Sequence, residues 1–179
     1  NLAYRDVRHS LFRFLLTCVG LGLLLGGPDV LADGKRAWIE APAWQGLRRL
    51  VEDLMVVADP FELFVAQDVA LDGLLYPLVY RDIDAALTVQ AGPTISMLLQ
   101  FQSEWFAESS KWVDATVKTA AGESDANAET ISGWFRTWGA RAAEALEPIA
   151  ALALGDPTGA LTTVRSELAA RVAGLGVTA

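Results

Sequence analysis

Residues 59–80 read DPFELFVAQDVALDGLLYPLVY, and the way this stretch folds settles the class of the chain. Asp59 is a residue type that caps helix N-termini, and Pro60 suits the first helical position, so a helix is predicted to start here. Phe61, Phe64, Val65, Leu71, Leu75, Tyr76 and Val79 then mark one side of it. Leu63, Ala66, Val69, Leu74 and Leu78 make the other side apolar too. A helix that is apolar nearly all round must be buried on most sides, so the remaining chain has to pack about it. Pro77 lacks the N–H that would bond the carbonyl of Gly73, and a kink is expected there. Asp68 falls on the stripe of Phe61, Phe64, Leu75 and Tyr76, where an ionised carboxylate is costly unless it is paired or hydrogen-bonded. Asp72 follows one turn later, with Arg81 or a group on another chain as its expected partner.

The flanking segments carry the same 3.6-residue period. Trp44, Leu47, Val51, Leu54, Met55 and Ala58 precede the central stretch. Gly92–Pro93–Thr94 opens a long third helix. Its stripe is Ile95, Leu98, Leu99, Gln102, Trp105, Phe106, Ser109, Trp112, Val113, Thr116, Val117 and Ala120. Glu108–Lys111 and Asp114–Lys118 have the spacing of ion pairs on its solvent face. Residues 121–127 read as a turn. A fourth helix follows with Ile131, Trp134, Phe135, Trp138, Ala142, Ala145 and Leu146, and a kink or break is expected at Pro148. Trp105 and Trp112 are expected to face Trp134 and Trp138 across the turn. Asp156–Pro157 repeats the start signal for a short helix with Leu161, Val164, Leu168 and Val172, ending before Gly174. No convincing alternating strand is found, so the expected architecture is an all-α bundle.

Composition narrows the function. The 179 residues are 53% hydrophobic and 20% charged, which excludes a disordered chain. A net charge of -8 argues against nucleic acid as a main partner. The mean hydropathy of +0.31 is high for a small soluble monomer and implies a membrane segment or a large partner interface. Three segments are expected: a basic and apolar head over 1–27, an irregular connector over 28–42, and a helical domain over 43–179. The head carries Arg5, Arg8 and Arg13 against Asp6, then runs uncharged from Phe14 to Gly27. This run is short of the roughly 20 residues that a membrane-spanning helix needs. It reads as a secretory signal cleaved after Ala32, as a membrane helix over 11–27 with Arg13 snorkelling, or as a buried core helix.

Candidate chemistry is sparse. His9 and Cys18 are the sole histidine and cysteine, so disulfide scaffolds, zinc fingers and Ser/Cys–His catalysis are disfavoured. A helical bundle with inward carboxylates raises the question of a di-iron site. Asp68 and Asp72 on one helix, and Glu104 and Glu108 on another, have i, i+4 spacing. The Glu-x-x-His motifs that such sites require are absent. No catalytic, cofactor-binding or metal-ligating residue is therefore assigned. Trp38 and Trp44, flanking Pro42, are candidate interface anchors, since aromatics and Arg are enriched at binding hot spots. With Arg48, Arg49, Asp68 and Asp72 they complete the set of interface candidates.

Two resemblances add to this reading. Residues 1–26, NLAYRDVRHSLFRFLLTCVGLGLLLG, resemble the N-terminus of FtsX/MacB-type ABC-transporter permeases. Residues 34–179 resemble the C-terminal half of the β (small) subunit of bacterial multicomponent monooxygenase hydroxylases. That resemblance rests on WQGLRRLVEDL, LDGLLYPLV, MLLQFQSEWFAESSKWVDATVK and WFRTWGARAAEALEP. It implies a ferritin-like helical bundle, here partial. It also implies a non-catalytic structural subunit packed against the iron-bearing large (α) subunit, with a γ subunit and an effector protein as further partners. Di-iron would then belong to the partner and no cofactor to this chain. The hydroxylases act on propane, phenol, toluene or methane and are cytoplasmic. The alternative is a membrane-anchored helical interaction domain held by residues 11–27.

Overall fold

The computed structural model describes residue 29, residues 31–91 and residues 93–179. The head over 1–27, with His9 and Cys18, lies outside the described residues. Helix α1 covers 31–40, and α2 is Pro42–Leu54. A continuous helical run from Pro60 to Ala91 is α3. Then come α4, Thr94–Gly122, α5, Asp125–Ala153, and α6, Pro157–Ala173. No strand occurs among the described residues, so the fold is the all-α bundle expected.

The start signals act as local chemistry predicts. The Asp59 carboxylate accepts from the amides of Phe61 and Glu62, at 2.7 and 3.2 Å, satisfying donors that a helix start leaves unpaired. Asp156 accepts from Gly159 N–H at 2.9 Å, and Ser124 from Asn127 N–H at 3.1 Å. The turn before α5 is only Glu123–Ser124, shorter than the 121–127 segment expected, because Ser124 caps the new helix at once. The connector expected to be irregular is helical over 31–40. Its last carbonyls are served by side chains of α2. Gln45 Nε2 donates to the carbonyls of Trp38, Ile39 and Ala41, and Arg48 Nη1 donates to Ile39 O. That arrangement permits a one-residue corner between α1 and α2.

Helix α3 is the axis of the bundle. Val65, Val69, Ala70, Leu74 and Leu78 are almost wholly enclosed. The run is long and apolar enough to cross a membrane by length and composition, but 78% of its apolar window is buried by the other helices. Its regular stretches alternate with π-helical ones, Val65–Leu71 and Leu78–Ile83. The disturbance expected at Pro77 takes this form: wider turns begin at the next residue and the helix continues. At Pro148 the expected break is absent and α5 runs through to Ala153. Pro148 lies on the exposed side with Glu144, so the carbonyl that loses its amide partner faces solvent.

The aromatic side chains of α4 and α5 lean on α3 rather than on each other as expected. Trp112 meets Phe64 edge-on at 5.5 Å, Trp105 meets Tyr76 at 6.2 Å, and Trp134 meets Phe61 at 6.5 Å. Trp138 is buried and donates to Glu62 Oε1 at 2.9 Å. Trp112, placed on the buried stripe by its spacing, is 57% exposed.

Gly46 sets the approach of α2 to α5. A Cβ there would lie 3.3 Å from the Ala145 Cα, which is backbone and cannot rotate away. Replacing Gly46 by Leu is expected to force the two helices apart and cost about 1–3 kcal/mol. Urea unfolding of the full chain measures this; an unchanged midpoint would show that the close approach is not required.

Candidate functional site

The chemically unusual part of the bundle lies where α3, α4 and α6 meet. Asp72, on α3, is only 6% exposed. Asp68, one turn earlier, is half-buried on the same helix. From α6, Arg171 reaches Asp114 of α4, with Nε and Nη2 at 2.9 and 2.7 Å from Oδ1. The Arg171 guanidinium also lies over the Phe106 ring, 5.8 Å from its centroid. Phe106 stacks on Tyr76 at 4.6 Å, and Tyr76 meets Tyr80 at 5.0 Å. A single guanidinium thus ties α6 to α4 beside an aromatic wall that reaches α3.

Burial pushes the Asp72 carboxyl well above the usual carboxylate range. The nearby charge of Asp68 pushes in the same direction, while Arg171 pulls the other way. The cation whose charge acts on Asp72 is therefore Arg171 and not the expected Arg81. Arg81 turns outward to Asp82 and Glu167, at 2.7 and 2.8 Å, and is held strongly cationic, chiefly by its bond to Asp82. Asp114 pairs across to α6 and not with Lys118, because it faces the partly buried junction. The Glu108–Lys111 pair forms as its spacing predicts, at 2.7 Å.

This arrangement does not suit a di-iron centre. Glu104 and Glu108 are exposed and engaged within α4, with Gln100 and Lys111. They do not converge with Asp68 and Asp72. Among the described residues no group of three or more His, Cys, Asp or Glu is placed to hold a metal ion. A guanidinium beside the buried carboxylates opposes a second cation there. The donor set at this junction therefore does not fit iron.

The interface candidates on the first two helices are placed as follows. Trp38 and Trp44 touch at 6.1 Å and both pack, half-buried, against the core. Arg48 is engaged inside the chain, by Glu52 at 2.9 Å and by the carbonyl of Ile39. Arg49 is exposed, with Nε on the Gln45 carbonyl. Ile39, near the end of α1, and Met55 and Val56, just after α2, are exposed apolar residues. The sequence reading missed Arg171. The one available signal was a cation inside the apolar period Leu161, Val164, Leu168, Val172.

Comparison with known proteins places this geometry. Residues 16–124 match the family described as Methane/Phenol/Alkene Hydroxylase. The chain is 46% identical over 159 residues to the phenol 2-monooxygenase oxygenase component DmpL of Pseudomonas sp. strain CF600, covering 88% of this chain and 47% of that one. It is 30% identical over 128 residues to the hydroxylase component subunit beta of the toluene-4-monooxygenase system of Ectopseudomonas mendocina, covering 69% and 39%. The crystal structure of xenon-pressurized phenol hydroxylase from Pseudomonas sp. OX1 contains a chain of the same fold. The TM-score is 0.87 at 36% identity, over 92% of this chain and 50% of that one. The chain spans about half the length of the relatives it matches. The fold is thus an all-α, partial ferritin-like bundle. The family match reaches back to residue 16, into the head, and the permease resemblance of residues 1–26 is not supported. Nor do these relatives support the membrane contact expected of residues 11–27, which lie outside the described residues.

Asp72 carries a pH prediction. Its folded carboxyl titrates above its ordinary value of 3.8, so the ionised form is penalised in the fold. The penalty is present at neutral pH, fades as pH falls through the raised value, and is gone below the ordinary one. Asp72→Asn is therefore expected to raise the urea midpoint at pH 7, with the gain shrinking towards pH 4. A loss of stability at pH 7 would show that attraction to Arg171 outweighs burial.

Proposed function

Because this chain belongs to the methane/phenol/alkene hydroxylase family, we propose that it is a non-catalytic, β-type structural subunit of a phenol- or toluene-class di-iron hydroxylase. The observation that carries this reading is the junction of α3, α4 and α6. Where inward carboxylates could have gathered iron, Arg171 stands against Asp72 and binds Asp114. The relatives named above are hydroxylase or oxygenase components of phenol and toluene monooxygenase systems, which supports a role in an assembly. In this reading a large (α) subunit holds the iron and the aromatic substrate. A γ subunit and an effector protein complete the system, and the assembly is cytoplasmic.

The role of the chain is to brace the large subunit through helix–helix contact. Trp38, Trp44 and Arg49 supply anchor residue types on α1 and α2, and Ile39 on α1 and Met55 and Val56 after α2 add exposed apolar groups. Arg48 contributes by holding the α1–α2 corner that presents them. Asp68 and Asp72 act from within, by fixing α3 against α6.

The test is co-expression with a phenol hydroxylase large subunit, followed by size exclusion and iron analysis of each peak. Co-elution is expected, with iron only in peaks that contain the large subunit. Trp44→Ala and Arg49→Ala are expected to weaken co-elution by about tenfold each, in the range of interface anchors. Iron in a peak of this chain alone, or separate elution of the two chains, would overturn the reading.

A further inference from the structure

A groove of about 530 Å3 opens between α5 and α6. Its floor is apolar or small: Leu74, Phe135, Gly139, Ala140, Leu168 and Ala169. Thr162 and Ser166 also line it, but their hydroxyls donate back to the carbonyls of Thr158 and Thr162 and offer no free donor. The rim is cationic, with Arg136 from α5 and Arg165 from α6. Arg136 is already tied to Glu129 and Thr178. Arg165 is exposed and has no hydrogen bond or ion pair among the described residues.

Gly139 adds a second observation. It sits inside a 29-residue helix, where glycine is one of the weakest formers. An added Cβ would meet only the Phe135 ring, at 3.7 and 3.8 Å, which is ordinary contact. Nothing among the described residues requires glycine there, in contrast to Gly46 against Ala145. The missing side chain deepens the groove and admits close approach from outside.

We propose that this groove receives an amphipathic helix of a separate partner polypeptide, one whose apolar face is flanked by Asp or Glu. Charge complementarity selects the occupant: a cationic rim, with Arg165 uncommitted, on a chain whose net charge is -8. The floor selects an apolar helix face, and the small residues allow it to approach closely. A second copy fits less well. The α4 surface of another copy does offer Met97 and Phe101 beside Glu104, but that pairing joins unlike surfaces and leaves both ends open to further copies.

The test uses the full chain and two fluorescent synthetic peptides, each a leucine-faced amphipathic helix, one flanked by glutamate and the other by lysine. The glutamate peptide is expected to bind saturably and the lysine peptide not to bind. Arg165→Glu and Gly139→Leu are each expected to weaken binding about tenfold or more. Arg165→Glu removes no contact among the described residues, so its helical circular dichroism and melting should match the parent chain. Equal binding of both peptides, no binding of the glutamate peptide, or unaltered affinity in Arg165→Glu overturns the proposal. Self-association abolished by Arg165→Glu, without peptide binding, gives the groove to a second copy and also overturns it. The outcome is separable from the subunit reading. Peptide binding with failed co-elution would leave the groove standing and remove the subunit role, and co-elution without peptide binding would do the reverse.

Discussion

Helix α3 cannot be left in water on any long face, and the rest of the structure depends on that constraint. A typical surface helix buries one stripe, but α3 carries large apolar groups round nearly its whole circumference. It is enclosed by α4, α5 and α6, and α2 packs in turn on α5. The same constraint explains how a helix that passes for a membrane span by composition comes to lie at the centre of a bundle. It also explains the aromatic pattern. The tryptophans of α4 and α5 find their partners on the shared axis, because α3 is the surface that every neighbour must cover.

Enclosing such a helix makes its polar residues matter more than their number suggests. Asp72 is carried into the interior by the helix it belongs to, and its charge is disfavoured there. Arg171 compensates in part and is itself steadied by Asp114 and by the Phe106 ring. This is an expensive way to join three helices, since well-packed apolar residues often do so with more stability. A polar junction does restrict how the helices can dock, because a slip of α6 along α3 would separate Arg171 from both acids. For a chain that braces a larger partner, a fixed docking of its own helices fits the proposed role.

The surface complements this interior. Exposed apolar groups sit at the end of α1, just after α2, near the end of α3 and along α4. The high mean hydropathy of the sequence thus combines the core, these exposed groups and the uncharged run Phe14–Gly27.

What the sequence determined by itself was local. Helix starts at Asp59–Pro60 and Asp156–Pro157, the apolar periods and the i, i+3 pair Glu108–Lys111 are written within a few residues of each other, and each formed. The all-α class followed from them. The tertiary structure alone decided which distant groups met. Arg171 and Asp114 are 57 residues apart, and Trp138 finds Glu62 across 76. Lys118 and Arg81 were the nearer cations in sequence, yet each lay on the wrong face once the helices docked. The effects of Pro77 and Pro148 were also decided by surroundings. One lies in an enclosed helix, where the change of turn is held in place, and the other on a solvent face, where water serves the freed carbonyl. Local signals survive in any fold because their partners travel with them. Long-range pairs are chosen by the rotation and register of whole helices, which the packing about α3 sets.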